Sequence, residues 1–256
     1  MTNTILVKAS KGEKTLGAFV NINAPASVEI LALAGLDYVI IDTEHGHYDI
    51  EKATELILAA EARGITAIAR VRATERPAIL KLLDAGAKGL LIPYIKTVAE
   101  AKQIVSWGKY RPVGDRGYGF TRAASYGHGQ DEAGGIMEFF AAMNANTLLI
   151  PQCETAECLE SIEEILAVPG IDGIFIGPFD LSISLGIAGQ FGHETMLAAY
   201  SRVLKAAKDT GKLCYILATT PEDAKAKLAQ GFDGVVSSDV GFLKSGAAEY
   251  VQGIRG

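Results

Sequence analysis

The chain has 256 residues, 49% of them hydrophobic, which is enough for one sizeable core. Its formal net charge is −6 with both signs interspersed, which argues against nonspecific binding to nucleic acid or to an anionic membrane. No apolar run approaches the roughly 20 residues of a bilayer span, Met1 to Lys8 lacks the layout of a secretory signal, and the cysteines Cys153, Cys158 and Cys214 form no CxxC pair, fitting small core residues in a reducing cytosol.

Short apolar runs alternate along the chain with longer stretches of helical period. Strands are predicted over Thr15–Val20, Tyr38–Asp42, Ala67–Val71, Gly89–Pro93, Thr147–Gln152, Gly173–Gly177, Leu213–Leu217 and Gly234–Ser237. Between them, sets such as Leu56-Ile57-Ala60 and Ile79-Leu82-Leu83 give one apolar face to a helix. Gly64, Gly86 and Gly211 stand where helices would end. Thr220-Pro221-Glu222-Asp223 has the makings of a helix start: a cap, proline at the first position and acids in the first turn. Lys109 to Asp131 is irregular, and loops of that length in compact domains are usually functional or mobile. There is no linker, no low-complexity segment, no Gly-x-Gly-x-x-Gly after the first strand and no Walker-type loop. Eight evenly spaced strands favour a single (β/α)8 barrel domain over residues 1–256 rather than a doubly wound open sheet.

In such a barrel the groups at the C-terminal strand ends make the active site. Strand one ends near Phe19-Val20-Asn21, and strand two runs into Asp42-Thr43-Glu44-His45-Gly46. Strand three carries Arg70, strand five leads to Gln152 and Glu154, and strand six leads through Gly177-Pro178 to Asp180. Strand seven offers Leu217-Ala218, and strand eight offers Ser237-Ser238-Asp239. Glu154 and Asp180 are oxygen ligands suited to a hard divalent cation, although either one also suits a helix start. His45 can act as a base near neutral pH, or be a plain loop residue. Arg70 interrupts a buried strand and therefore demands an anion: a substrate oxygen, or a structural partner in Asp42 or Glu44. No lysine interrupts a strand, and Lys96 is the one shortly after a strand's C-terminal end, so a Schiff-base mechanism has little support.

Five motifs occur in order: Asp42-Thr43-Glu44-His45-Gly46, Ala69-Arg70-Val71, Tyr110-Arg111-Pro112-Val113-Gly114-Asp115-Arg116-Gly117, Gln152-Cys153-Glu154-Thr155 and Gly177-Pro178-Phe179-Asp180-Leu181-Ser182. Together they resemble the HpcH/HpaI aldolase family, the metal-dependent class II pyruvate aldolases, over nearly the whole chain. The resemblance implies a (β/α)8 barrel assembled as a hexamer, with the last helix exchanged between neighbours. It implies Glu154 and Asp180 as metal ligands and Gln152 as a support for metal and substrate. It implies that Arg70 contacts the keto oxygen of pyruvate, that His45 is the catalytic base, and that Asp42 is a nearby active-site acid. Asp84 matches an acid that reaches the histidine from the adjacent subunit. The backbone at Phe179-Asp180 matches the segment that receives the substrate carboxylate, and Leu217 lies near the aldehyde pocket. Phe179 and Phe19 replace residues that are often small or tryptophan in relatives, Arg111-Pro112 replaces a common double proline, and Ser237-Ser238-Asp239 departs from the more frequent strand-eight ending.

The expected activity is reversible cleavage of a 4-hydroxy-2-keto acid to an aldehyde and pyruvate, or an analogue such as hydroxypyruvate. Mg²⁺, Mn²⁺ or Co²⁺ is the expected cofactor, and the partners are small molecules and further copies of the chain in the cytoplasm. Two alternatives stand beside it. One is a CoA-ester lyase or citrate-forming enzyme on the same fold, which would want a basic patch for nucleotide phosphates. The other is a noncatalytic keto-acid-binding protein, which would need no base.

Overall fold

Eight aliphatic runs become eight parallel strands in the computed structural model, which describes residues 3–256. They are β1 (Thr15–Val20), β2 (Tyr38–Asp42), β3 (Thr66–Arg70), β4 (Gly89–Ile92), β5 (Leu148–Cys153), β6 (Gly173–Ile176), β7 (Leu213–Leu217) and β8 (Gly234–Ser238). Each bound lies within one residue of the predicted one. Each strand pairs with the next, and β8 pairs with β1, closing the barrel. Thirteen α-helices are described: α1 (Thr4–Ser10), α2 (Pro25–Leu33), α3 (Ile50–Ala62), α4 (Arg76–Asp84), α5 (Val98–Gly108), α6 (His128–Ala133), α7 (Ile136–Asn146), α8 (Ala156–Glu160), α9 (Ile162–Leu166), α10 (Pro178–Ser184), α11 (Glu194–Asp209), α12 (Pro221–Gln230) and α13 (Asp239–Arg255).

The alternation of side chains along each strand sorts the apolar residues into two cores. Phe19, Ile40, Ile68, Leu91, Ile150, Phe175, Tyr215 and Val236 fill the barrel interior. Their strand neighbours Ile41, Ala69, Leu90, Leu149 and Ile174 face outward under the helices, where Cys153, Cys158 and Cys214 are also buried as free thiols. The same parity decides what reaches the mouth. Two residues beyond Ile40, Ile68, Ile150, Tyr215 and Val236 lie Asp42, Arg70, Gln152, Leu217 and Ser238.

Helix ends follow the predicted chemistry. The Thr220 hydroxyl accepts from the Asp223 amide at 3.2 Å, with Pro221 opening α12. Gly86 and Gly211 take φ of 108° and 66° just after α4 and α11, a region that favours glycine.

Two features differ from the sequence reading. First, α1 was not foreseen, because a seven-residue helix with one buried residue has no period to read. Ile5 joins the interior core, and the Asn3 side chain donates to the Lys88 and Asn146 carbonyls, both at 3.1 Å, so α1 plugs the N-terminal end of the barrel. Met1 and Thr2 of the Met1–Lys8 segment lie outside the described residues. Second, the stretch from Lys109 to Asp131 is more ordered than an irregular loop. It holds a 3-10 turn (Arg122–Gly127) and runs into α6, with Tyr110 stacked on Phe140 at 4.3 Å and Tyr118 edge-on to Phe139. These aromatic partners lie too far apart in sequence to form a pattern. The last helix, α13, buries only Asp239, leaving Phe242, Leu243, Tyr250, Val251 and Ile254 exposed. No helix among the described residues is long and apolar enough to cross a membrane.

Candidate active site at the barrel mouth

A cavity of about 350 Å³ opens at the C-terminal end of the strands. Asp42, His45, Arg70, Gln152, Phe179, Asp180 and Leu217 line it, together with Phe19, Asn21, Phe175 and Ser238. Seven of the residues singled out in the sequence thus converge on one cleft, with Glu154 directly behind Gly177.

The cross-strand register puts Asp42 opposite Arg70. The guanidinium donates from Nε to Asp42 Oδ1 at 2.8 Å and from Nη2 to Oδ2 at 2.6 Å. Its Nη1 lies 3.1 Å from Glu44 Oε2, and its carbon sits 4.7 Å over the Phe19 ring. Both structural partners considered for Arg70 are therefore present, and the side chain still lines the cavity. Burial pushes the Asp42 carboxyl up, but the hydrogen bond and charge of Arg70, with smaller help from Asn21 and the His45 amide, reverse this and hold it below its ordinary range. His45 is exposed at the rim, its backbone N–H donating to Asp42 Oδ1 at 3.3 Å. Tyr48 ties two strands together: its hydroxyl accepts from the Asp42 amide at 2.9 Å and donates to the Val20 carbonyl at 2.5 Å.

Glu154 does not cap a helix. Thr155 does that for α8, its hydroxyl accepting from the Cys158 amide. The Glu154 carboxylate instead accepts from the Tyr94 amide at 2.6 Å and from Gln152 Nε2. Tyr94 takes φ of 59° to aim that amide, an uncommon conformation for a residue with a Cβ. Burial pushes the Glu154 carboxyl up to about 7, and the charges of Asp180 and Glu44 add to the rise against the Tyr94 amide and Arg70. Gly177 packs directly on this group. A Cβ there would fall 2.6 Å from Gln152 Nε2 and 2.9 Å from Glu154 Oε2, so close approach alone requires glycine. Asp180 lies in the first turn of α10, exposed to the cavity, and its carboxylate accepts no hydrogen bond from the described residues.

These residues fit a divalent cation. Asp42 and Asp180 line the cleft, the desolvated Glu154 carboxylate lies behind Gly177, and Gln152 Oε1 is buried with no hydrogen-bond partner among the described residues. Among the described residues no group of three or more His, Cys, Asp or Glu is placed to hold a metal. The protein's share would be Glu154 and Asp180, leaving positions for water and substrate oxygens.

Asp84 is not part of this cleft. It ends α4, on the far side of the barrel, where its Oδ1 accepts from Arg116 Nη2 at 2.8 Å. Residues that sequence reasoning passed over are Tyr48, Phe175 and Phe191, whose ring lies edge-on to Phe179 at 4.8 Å. Phe175 was within reach, since it stands two residues before Gly177. For Tyr48 and Phe191 no local signal exists.

A closed (β/α)8 barrel with carboxylates, one guanidinium and one imidazole at its C-terminal mouth defines an enzyme of the barrel class. The family model described as HpcH/HpaI aldolase/citrate lyase matches residues 15–243. The chain is 35% identical over 256 residues to a hydroxypyruvate/pyruvate aldolase of Roseobacter denitrificans, covering 98% of each. It is 34% identical over 231 residues to a 5-keto-4-deoxy-D-glucarate aldolase of Shigella dysenteriae, covering 90% of this chain and 88% of that one. The solved HpcH/HpaI aldolase of Desulfitobacterium hafniense superposes with a TM-score of 0.90 at 29% identity, covering 100% of this chain and 97% of that one. The chain belongs to the HpcH/HpaI aldolase/citrate lyase family. It is an aldolase, a carbon–carbon lyase.

Proposed function

We propose that this chain, one barrel domain, is a divalent-metal-dependent aldolase that reversibly cleaves 4-hydroxy-2-keto acids to an aldehyde and pyruvate or hydroxypyruvate. The observation that carries the reading is the meeting of Asp180, Gln152, Arg70 and His45 at one cleft, with the Glu154 carboxylate bonded to Gln152 directly behind Gly177. The two curated relatives bear the names of keto acids, which agrees with it. Arg70 holds fixed positive charge beside the donor oxygen where negative charge develops. Asp42 fixes the plane of that guanidinium through two parallel hydrogen bonds. In the cleavage direction His45 takes the proton of the 4-hydroxyl as the C3–C4 bond breaks and delivers it to C3 of the enolate, and condensation runs the same transfer backwards. Phe179 and Leu217 wall the aldehyde side. Bound by Glu154 and Asp180, Mg²⁺, Mn²⁺ or Co²⁺ would supply Lewis-acid stabilisation of the developing charge.

EDTA is expected to abolish turnover, and Mn²⁺ or Co²⁺ to restore it. Borohydride with pyruvate should leave no adduct by mass spectrometry. Lys96 is only half-buried, sits over the Tyr94 ring at 4.6 Å and pairs with Glu157, so it lacks the desolvation a Schiff-base lysine needs. A Lys96 adduct with EDTA-resistant activity would sink the metal-dependent reading.

We also read the chain as a cytoplasmic homo-oligomer, a hexamer by family resemblance, with α13 as the exchanged arm. The exposed apolar residues of α13 and the place of Asp84, remote from His45 of its own chain, support it. Mixing inactive His45→Ala subunits with inactive Asp84→Ala subunits should then restore part of the activity, because some interfaces pair an intact His45 with an intact Asp84. Subunit exchange shown by mass spectrometry without any recovery would rule out the shared site.

A further inference from the structure

Arg70 is the one cationic side chain lining the mouth among the described residues, apart from the imidazole of His45. Its field and direction matter most where charge develops, yet two carboxylates already hold it. How it is held therefore sets what it can offer a ligand. We propose that Asn21 is a positioning residue for Arg70, acting through Asp42, and that the buried carboxylate of Asp239 anchors it.

Asn21 follows β1 directly and lines the cavity. Its Nδ2 donates to Asp42 Oδ2 at 2.8 Å, the same oxygen that accepts from Arg70 Nη2 at 2.6 Å. Asp42 Oδ1 takes Arg70 Nε at 2.8 Å, with the amides of Glu44 and His45 at 3.1 Å and 3.3 Å. Without Asn21, Oδ2 keeps only Arg70. The terminal torsion of an aspartate is soft, so the carboxylate can then turn and carry the guanidinium with it. The amide also has an electrostatic effect. A donor on Oδ2 absorbs part of the Asp42 charge and leaves more of the Arg70 charge directed into the cleft.

Asn21 itself is fixed from behind. Asp239, 4% exposed, opens α13 and accepts the Asn21 amide at 3.1 Å on both oxygens. It also takes the Ile22 amide at 2.9 Å and the Val240 amide at 2.7 Å. Three backbone donors on one buried carboxylate hold the exit of β1 against the start of α13. The Tyr48 hydroxyl, bridging the Val20 carbonyl and the Asp42 amide, fixes the exit of β1 against the end of β2. The side-chain amide of Asn21 thus meets Asp42 from a rigid base.

This inference rests on the reading that Arg70 serves a keto-acid donor. The test is methyl proton–deuterium exchange of pyruvate, followed by NMR at high enzyme concentration with Mn²⁺-free Mg²⁺ buffer. Losing a hydrogen bond to a charged group should lower the exchange kcat of Asn21→Ala about tenfold or more, with the pyruvate KM changing less than about threefold because ground-state binding is spared. Asn21→Leu, nearly isosteric and without a donor, should behave alike. In an Arg70→Ala background, adding Asn21→Ala should cost nothing further, since its effect passes through Arg70. Wild-type rates in both Asn21 variants would overturn the inference, as would the same fold-loss with and without Arg70. A wild-type protein that gives no exchange would overturn the keto-acid reading as well, which separates the two failures.

Discussion

Glu154→Gln should lose at least about 10³-fold in turnover, the equivalent of several kcal/mol of transition-state charge stabilisation, and yet be more stable than the metal-free parent at neutral pH. The two effects share one cause. The Glu154 carboxyl is buried against Asp180 and Glu44, and its pKa rises from 4.5 to about 7. The folded state therefore binds its proton more tightly than the unfolded chain does. Below about pH 4.5 both states are protonated and the group costs nothing. As pH climbs toward 7 and beyond, the unfolded chain ionises freely while the folded one does so against burial, and stability is lost. The full difference is about 3 kcal/mol, or roughly 6–12 °C in Tm for a chain of this size. Thermal melts of metal-free parent and Glu154→Gln should thus coincide near pH 4.5 and diverge above it, with the variant melting higher. A divalent cation should raise the parent's Tm most above pH 7 and leave the variant's almost unchanged. Parallel melting curves across pH would mean that the carboxyl is not desolvated among like charges. A fully active Glu154→Gln would remove Glu154 from the ligand set.

The strands were legible because a parallel barrel buries them on both faces. Ile40-Ile41 and Leu148-Leu149-Ile150 have no polar alternation to confuse them with an exposed sheet. The rule that barrel chemistry sits at the C-terminal strand ends then carried the reading from Ile150 to Gln152 and Glu154. What the sequence could not show is how these groups hold one another. Arg70 was expected to contact either substrate or a carboxylate, and the structure has it pinned by Asp42 and Glu44 while it still faces the cavity. That answer depends on side-chain geometry across β2 and β3, which no spacing encodes. The Tyr94 amide on Glu154 was equally hidden, since it depends on a positive φ at a non-glycine residue. The plug formed by α1 was hidden for a different reason: Ile5 is buried by the barrel interior, a tertiary contact without local pattern.

This pinning changes what removal of Arg70 should do. Arg70→Ala should lose about 10²–10³-fold in kcat, as when one donor to a developing oxyanion is deleted. The variant should also lose about 3–5 kcal/mol of stability, because Asp42, 1% exposed, is left as a buried charge without its partner. A simple comparison of activity with stability therefore cannot separate a catalytic arginine from a structural one. The double variant Asp42→Asn/Arg70→Met can. It removes both charges at nearly constant volume, and replacing a buried ion pair by neutral groups is often close to neutral for stability. Asn at position 42 still offers a carbonyl oxygen to the amides of Glu44 and His45, which Asp42 Oδ1 accepts in the parent. Stability should return toward the parent value, while kcat stays at least about 10²-fold down. Denaturant unfolding and steady-state kinetics on the same preparations give both numbers. Recovery of turnover together with stability would assign the guanidinium to holding β2 against β3. Recovery of stability alone leaves the Arg70–Asp42 pair to the chemistry, because the fold is then intact and the cleft lacks only the charges of that pair.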